Sequence, residues 1–244
     1  MRSIKSDDDY FVFKNINCLD MGVLVSKLPP ISNSQKEHES VVRGIYGEVK
    51  KFKGYKNTTK NLECYFMNSE KLSDIYKIMD WLSNNGDLVL SNEPDFYYKA
   101  RVSNVISLEE YIGNEVYSFP LTFEVMPFSY FLSGKRNIRL DFNQKNGLKL
   151  FNIGNYFSEP IIKIKGDGEI NVNVNKYSFK LDMREVKCAT ICSTWNNEIV
   201  FNENNENVGE IMEGDFPLLD VGVSEITYSG DVESIDIIPN WRRE

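Results

Sequence analysis

A nucleophilic triad of serine or cysteine with histidine and a carboxylate has little support in this chain of 244 residues. His38 is its only histidine and lies in a polar stretch. No Gly-x-Ser-x-Gly motif is present to hold a serine on a sharp strand-to-helix turn. Gly44 and Gly47 lack the lysine, the serine and the following helix of a phosphate-binding loop. The sequence therefore predicts no catalytic residue and a protein that is not an enzyme.

Metal and cofactor chemistry have equally little support. The four cysteines, Cys18, Cys64, Cys188 and Cys192, match no zinc-binding spacing, and only His38 adds an imidazole. Cys188 and Cys192 are four residues apart in a strand-like run, which does not form a local metal pair. We expect reduced, mostly buried thiols in a protein made inside a cell, with no metal and no cofactor.

Sugar chemistry is the remaining candidate. A glycosidase needs only two carboxylates across a cleft, but a chain with 36 Asp and Glu provides such pairs by chance. Trp195 and Tyr177 are the aromatic residues placed to stack on a sugar ring in a lectin-like sandwich. The alternative is that both pack in the core or at its rim. Glycan contact and structural packing both remain open for this pair.

Two stretches are rich in lysine and arginine. The segment Gly134–Lys149 carries Lys135, Arg136, Arg139, Lys145 and Lys149 against a single acidic residue, Asp141. We interpret it as an extended basic arm that contacts the acidic domain of a neighbouring copy; the alternative is a linker of mixed charge. The second stretch, Lys50–Lys60, is either a partner contact or a solvated hairpin edge that lysines keep from aggregating.

The charge is unevenly distributed along the chain. Residues 157–244 contain 8 Lys and Arg against 17 Asp and Glu, which is a net charge of −9, whereas residues 1–156 carry 20 against 19. The overall charge of −8 argues against a surface built to bind nucleic acid. The first nine residues lack the apolar stretch of a signal peptide, and no run reaches the ~18 apolar residues of a membrane span.

The first half of the chain predicts a β-domain with one helix. Tyr10–Phe13 and Val23–Leu28 are expected to form an opening pair of strands. Leu72, Ile75, Ile78 and Leu82 recur at helical spacing, Asn68 and Ser69 are suited to cap the helix, and Gly86 follows its end. Residues 117–125 then alternate as a clear strand that Pro127 closes. The helix is expected to pack its apolar stripe against the sheet.

The second half predicts strands to its end. Pro160 restrains Glu159 to an extended conformation and precedes the alternating run Ile161–Lys165. Gly166–Gly168 is expected to be a hairpin turn, and Ser229–Asp231 to turn between two later strands. These features predict an all-β sandwich. The protein as a whole is expected to be mainly β, with a first domain at 1–133, a connector or arm at 134–156 and a sandwich at 157–244.

Taken together in order, several of these motifs resemble the distal tail (Dit) proteins of long-tailed bacteriophages. The resemblance rests on two runs in the second half: Asn152-x-Gly154 with Glu159-Pro160 through Gly168, and Phe216-Pro217 through Trp241-Arg242. In the first half it rests on Asp20-x-Gly22, Trp81-Leu82 and Ala100-Arg101-Val102. It covers essentially the whole chain. Asn240, where an arginine is common, and Ser224, where an asparagine is common, depart from the family pattern.

The resemblance implies a structural virion protein of the tail tip, made in the cytoplasm of a bacterial host. Members of the family form a ring, usually of six copies, whose N-terminal domains build the ring and whose galectin-like C-terminal sandwich points outward. The ring joins the major tail tube protein to a tail-tip hub or tail-associated lysin, DNA passes through its lumen, and the sandwich can carry receptor-binding proteins. The alternative function, from a different class, is a host-glycan-binding adhesion protein that uses the sandwich.

Overall fold

The computed structural model describes residues 9–42, 47–67, 72–107, 109–112, 116–140, 148–194 and 197–244. The chain divides into two compact units. One contains Met1–Ser129 together with Glu244, and the other contains Tyr130–Arg243. Each has its own buried apolar cluster.

The first unit is an antiparallel β-structure with one α-helix in its described part. Strands β2, β1, β7, β8, β10, β6 and β3 are neighbours in that order, and β9 pairs with β10. Strands β4 and β5 form a separate two-stranded sheet. The elements are β1 (Phe11–Phe13), β2 (Ile16–Asn17), β3 (Val23–Lys27), β4 (Gln35–Val42), β5 (Glu48–Lys56), β6 (Thr58–Met67), α1 (Leu72–Leu82), β7 (Asn85–Leu90), β8 (Phe96–Val102), β9 (Glu109–Ile112) and β10 (Val116–Phe131).

The order of the strands corrects one sequence prediction. Tyr10–Phe13 and Val23–Leu28 were expected to pair with each other, but β1 pairs with β2 and β7, whereas β3 pairs with β6. The tight turn Lys14–Asn15, where both residues have positive φ, sends the chain into β2 first. Asparagine tolerates the left-handed conformation better than most residues, so Asn15 suits this turn. The opening hairpin is therefore β1–β2.

The helix is confirmed at the predicted position. Ile78, Trp81 and Leu82 are buried in the apolar cluster of the first unit. The Trp81 ring stacks on Phe11 with ring centroids 5.5 Å apart, and its Nε1 donates a hydrogen bond of 2.9 Å to the carbonyl oxygen of Phe13. A buried indole N–H needs such a partner, so the pair fixes the helix on β1. The predicted caps Asn68 and Ser69 lie outside the described residues.

The second unit is all-β apart from short 3-10 turns, within the residues that the structure describes. Its long strands β13 and β18 lie side by side at the centre of one sheet. The fold class predicted from the sequence, mainly β with one helix, is confirmed. The elements are β11 (Ile138–Arg139), β12 (Leu148–Asn152), β13 (Ile161–Val174), β14 (Tyr177–Asp182), β15 (Cys188–Cys192), β16 (Ile199–Phe201), β17 (Met212–Gly214), β18 (Gly222–Ile238) and β19 (Arg242–Arg243).

Strands β13 and β18 each pass through two half-sheets. The first part of β13 pairs with β15 and with the end of β18, and β11 and β16 complete this half. The last part of β13 pairs with β14 and with the start of β18, and β12 and β17 complete the other half. Ile164, Val172 and Ile235, from both halves, share one buried cluster. The two halves therefore enclose a single core, as in a β-sandwich.

Both glycine-containing turns predicted in this region are wrong. Gly166–Gly168 lies inside β13, and Ser229–Asp231 lies inside β18, where the pairing register shifts. At Gly166 and Gly230 a Cβ would collide with the backbone oxygen of the opposite strand, and Gly230 has φ +107°. Glycine is thus required at these positions for a close approach of two bent strands. Glycine favours a hairpin turn and also permits a β-bulge within a strand, so the local sequence does not distinguish the two.

We expect Gly230→Ala to destabilise the second unit by about 3 kcal/mol, because the new methyl group meets the Glu169 carbonyl and the left-handed backbone is unfavourable for alanine. Gly168→Asn is the matched control, since Gly168 also has positive φ but has no neighbouring atom within 4 Å of a Cβ. Urea denaturation of both variants measures the difference. Equal midpoints for the two variants would contradict the close approach of the strands.

A buried polar network joins the C-terminal end of the second unit to the segment that precedes β13. The Arg242 guanidinium lies 2.9 Å from the Glu159 carboxylate, and both side chains are almost fully buried. Arg242 Nε also donates to the carbonyl oxygen of Phe157 at 2.7 Å. A side chain at Gly154 would collide with the Arg242 carbonyl group. The two motifs of the sequence resemblance, 152–168 and 216–242, thus meet in one network.

Asparagines complete this network. Asn152 donates to the carbonyl oxygens of Tyr156 and Leu219 and accepts from the Gly154 N–H. Asn240 donates to the carbonyl oxygen of Glu159 at 2.9 Å and has φ +52°. The departure from the family pattern at Asn240 therefore places a residue that tolerates positive φ where the backbone requires it.

The segment 134–156 contributes strands to the second unit. Its residues Ile138–Arg139 form β11 and Leu148–Asn152 form β12, and both strands pair with β18. Leu140 and Leu150 from this segment are buried in the core of the second unit. The described part of the predicted connector is thus integrated in a sheet.

Candidate assembly surface

The β4–β5 hairpin is the most distinctive surface feature of the first unit. It forms its own two-stranded sheet, and none of its residues whose side chains the structure describes belongs to the buried cluster of that unit. Val49 is 53% exposed and Phe52 is 47% exposed. A two-stranded hairpin is marginally stable by itself in water. Its exposed apolar residues therefore make it a surface suited to contact with another chain.

The hairpin has two chemically different faces. The register pairs Val41 with Val49 on one face. On the other face, an aromatic row runs from His38 through Phe52 and Tyr55 to Phe128 of β10, with successive ring centroids 5.9, 5.2 and 5.0 Å apart. The bulge between Glu37 and His38 brings Phe52 and Tyr55 together. The aromatic face thus contacts its own unit through Phe128. We call the opposite face the aliphatic face for Val41 and Val49; it also carries the charged pair Glu39 and Lys51, and neither valine belongs to the described core.

Opposite charges line the two strands. Lys53 lies 3.4 Å from Glu39, and Lys56 lies 3.2 Å from Glu37. All four side chains are largely exposed, so these pairs add little stability. Their effect is on register, because like charges facing each other would oppose this pairing. Within the described residues, Lys50 and Lys51 have no ion-pair partner.

The base of the hairpin is tied to Glu244. One carboxylate oxygen of Glu244 lies 3.0 Å from Lys36 Nζ, and the other accepts a hydrogen bond from the Tyr55 hydroxyl. These hydrogen bonds, from Tyr55 first and then from Lys36, hold the pKa of Glu244 below its ordinary value. This contact holds β4 and β5 together at the open end of the hairpin, where both strands join the rest of the first unit.

The loop before the hairpin is anchored by Lys60. This residue was grouped with the exposed lysines in the sequence, but it is buried. Its Nζ lies 3.7 Å from Glu93, within 3.4 Å of the Pro30 oxygen and 3.3 Å from Ser32 Oγ, and 5.0 Å from the centre of the Tyr98 ring. Burial lowers the pKa of Lys60. A buried ammonium with this many partners is a structural anchor, not part of a basic surface.

The described residues of the predicted basic arm lie at separate places along the second unit. Lys135 and Arg136 are exposed next to a short 3-10 turn, and Lys149 is exposed on β12. Arg139 forms a two-pronged contact with Asp236, with Nε–Oδ1 and Nη2–Oδ2 distances of 2.9 and 3.0 Å. That contact raises the pKa of Arg139 and lowers that of Asp236. Lys145 lies outside the described residues.

The predicted sugar-stacking pair cannot be assembled from the described part of the chain. Tyr177 begins β14 and is half-buried, and Lys176 Nζ lies 5.1 Å from the centre of its ring. Trp195 lies outside the described residues. Glycan contact by this pair stays a prediction.

The described ranges contain neither a metal-binding cluster nor a membrane-spanning helix. No group of three or more His, Cys, Asp or Glu side chains is arranged there to hold a metal ion. No helix in those ranges has the length and apolar character to cross a membrane. All four cysteines are buried and form no disulfide.

The sequence carries a signal for the exposed hairpin. The run from Val49 to Lys56 alternates lysines with Val, Phe and Tyr after a glycine, which is the pattern of an exposed strand with apolar contacts. Its lysines alone indicate either a solvated edge or a partner contact. The contribution of Val49, Phe52 and Tyr55 was missed.

Comparison with known proteins gives matches in structure but not in sequence. No protein-family model matches the chain, and no curated protein matches it. The crystal structure of the Dit protein of phage SPP1, described as a paradigm of the hub adsorption apparatus in phages that infect Gram-positive bacteria, superposes with a TM-score of 0.71 at 13% identity. That match covers 94% of this chain and 97% of the SPP1 chain.

Chains of the phage p2 baseplate in its activated conformation also match. The structure with Ca gives a TM-score of 0.63 at 11% identity, covering 97% of this chain and 98% of the p2 chain. The structure with Sr gives 0.61 at 11% identity, covering 94% and 96%. The resemblance to distal tail proteins is thereby confirmed for the fold, over nearly the full length of all three chains.

Proposed function

We propose that this protein is a distal tail protein, a structural component of a phage or phage-like tail tip. Copies of the chain, six by the resemblance, form a ring that joins the tail tube to the tail-tip hub or tail-associated lysin. DNA passes through the ring as a transient passenger. The role is non-enzymatic, and the protein is located in the virion after its synthesis in the bacterial host.

The observation that carries this proposal is the match to SPP1 Dit across both units. A match confined to the second unit would indicate only a β-sandwich, which many unrelated functions share. Here 94% of this chain aligns with 97% of a hub protein, so neither chain has a large domain that the other lacks. The hairpin adds support, because a ring requires a surface on each copy that contacts a different surface on the next.

The adhesion alternative has no comparable support. Its candidate residues were Trp195 and Tyr177, of which Tyr177 is half-buried beside Lys176. Receptor-binding proteins remain proposed partners of the sandwich. The basic arm, Lys135, Arg136, Arg139, Lys145 and Lys149, also stays a proposal for a contact between copies, with Arg139 already bound to Asp236 in its own chain.

The mass of the purified protein in solution tests the proposal. Light scattering coupled to size exclusion, run across a range of salt and protein concentrations, is expected to show a closed oligomer of about six copies or a monomer–oligomer equilibrium. Negative-stain images are expected to show rings with a central lumen. A strict monomer, both alone and with the adjacent tail tube and hub proteins added, would overturn the proposal.

A further inference from the structure

The second unit has one cluster of exposed apolar residues in its described part. It consists of Phe151 (62% exposed), Ile153 (47%), Val221 (55%) and Val223 (58%). Phe151 lies directly opposite Val223 in the β12–β18 pair. Ile153 directly follows β12 and Val221 directly precedes β18, on either side of the last pair of this register, Asn152 with Gly222. We call this group the apolar corner.

The apolar corner is not a by-product of core packing. Along β12 the buried residues are Leu150 and Asn152, and the exposed ones alternate with them on the opposite face. Alternation normally places polar residues on a solvent face. On this face β13, the other neighbour of β18, does so with Asn171 and Asn173. The apolar corner therefore interrupts an otherwise polar face.

The size of the apolar corner indicates what kind of contact it makes. Four such side chains, each about half exposed, leave on the order of 400 Å² of apolar surface, which is in the range of functional patches. A stable pair of proteins buries about 800 Å² on each partner. The apolar corner is therefore too small to hold a partner by itself. It suits a secondary contact within an assembly that other surfaces also hold together.

We propose that the apolar corner of one copy receives the aliphatic face of the β4–β5 hairpin, with Val41 and Val49, from the next copy. This inference rests on the proposed ring. A ring closes through a heterologous interface, which needs two different complementary patches on each chain. The hairpin in the first unit and the apolar corner in the second are two such patches.

Charge favours the same pairing. The described hairpin residues, 35–42 and 47–56, carry five lysines and three glutamates, so their net charge is +2. Residues 157–244 of the second unit have a net charge of −9 from 8 basic and 17 acidic residues. Glu225 is exposed two residues from Val223, opposite Lys149. Opposite potentials orient the approach of the two surfaces and disfavour contact between two hairpins or between two second units.

Cysteine cross-linking tests the inference. All four native cysteines are buried, so thiols introduced on the surface are the accessible ones. The double variant Val49→Cys/Phe151→Cys, oxidised at low concentration, is expected to give a ladder of linked chains on a non-reducing gel. A disulfide within one chain would leave a monomer band, so a ladder reports contacts between chains. The double variant Val49→Cys/Val105→Cys, with Val105 highly exposed elsewhere, is the control and is expected to remain unlinked.

The outcomes separate this inference from the function on which it rests. A ring by light scattering that gives no ladder from the Val49/Phe151 variant would overturn the contact and leave the proposed ring intact. A ladder from the control variant as strong as that from the test variant would also overturn it, because linkage would then reflect random collision. A monomer under every condition of assembly would overturn the ring and this contact together.

Discussion

Replacing Arg242 with methionine is expected to lower the free energy of unfolding of the second unit by about 3–5 kcal/mol, the usual cost of removing one partner of a buried ion pair. The Glu159 carboxylate would stay buried and lose the guanidinium that lies 2.9 Å away. The carbonyl oxygen of Phe157 would lose its donor. Because domains are stable by only about 5–15 kcal/mol, guanidinium denaturation followed by circular dichroism resolves this loss easily.

The neighbouring residue provides the control for this prediction. Arg243 is exposed, and Arg243→Met is expected to change stability by no more than about 0.5 kcal/mol. The double variant Glu159→Leu/Arg242→Met strands no charge and is expected to recover part of the loss. If Arg242→Met alone costs less than about 1 kcal/mol, the pair is not the anchor that its burial indicates.

The second large effect is expected on assembly. The variant Val49→Glu is expected to weaken association between copies at least ~100-fold, since an interface that covers Val49 would bury an unpaired carboxylate. Sedimentation velocity at fixed protein concentration measures the loss of the oligomer. The thermal midpoint of the variant is expected to stay within a few degrees, because Val49 is exposed and is not part of the buried cluster.

Val105→Glu is the matched control for the hairpin variant. Val105 is 88% exposed and lies outside the hairpin, so it introduces the same kind of charge at a surface with no proposed contact. Its oligomer is expected to match that of the unchanged protein. If the hairpin variant assembles equally well, the ring is held by other surfaces.

Local patterns in the sequence were enough to predict the fold class. The helical spacing from Leu72 to Leu82 located the helix, and alternation located the strands of the second unit. Partners far apart in sequence were not predictable in this way. The pairing of β1 with β7 joins residues more than 70 positions apart, and the Arg139–Asp236 contact joins residues 97 apart. No local signal distinguishes such partners from equivalent residues nearby.

The candidate surface was predicted less well than the fold. The lysines around residues 50–56 indicated an exposed strand, but exposure of Val49 and Phe52 depends on the absence of a covering element, which only the structure shows. The apolar corner has the same origin: Phe151 and Val223 have the composition of core residues, and their outward direction follows from the register of β12 with β18. Lys60 is grouped with the exposed lysines in the sequence but is buried in the structure, because the residues that cover it are distant in sequence.

The bend that β13 and β18 share has a mechanical consequence for the second unit. Each strand carries load through both half-sheets, so neither half can be peeled away while the other stays folded. A pull along β13 and β18 must shear the long central pair, in which many hydrogen bonds resist together. Such a module keeps its shape under load and then gives up its structure in a single step.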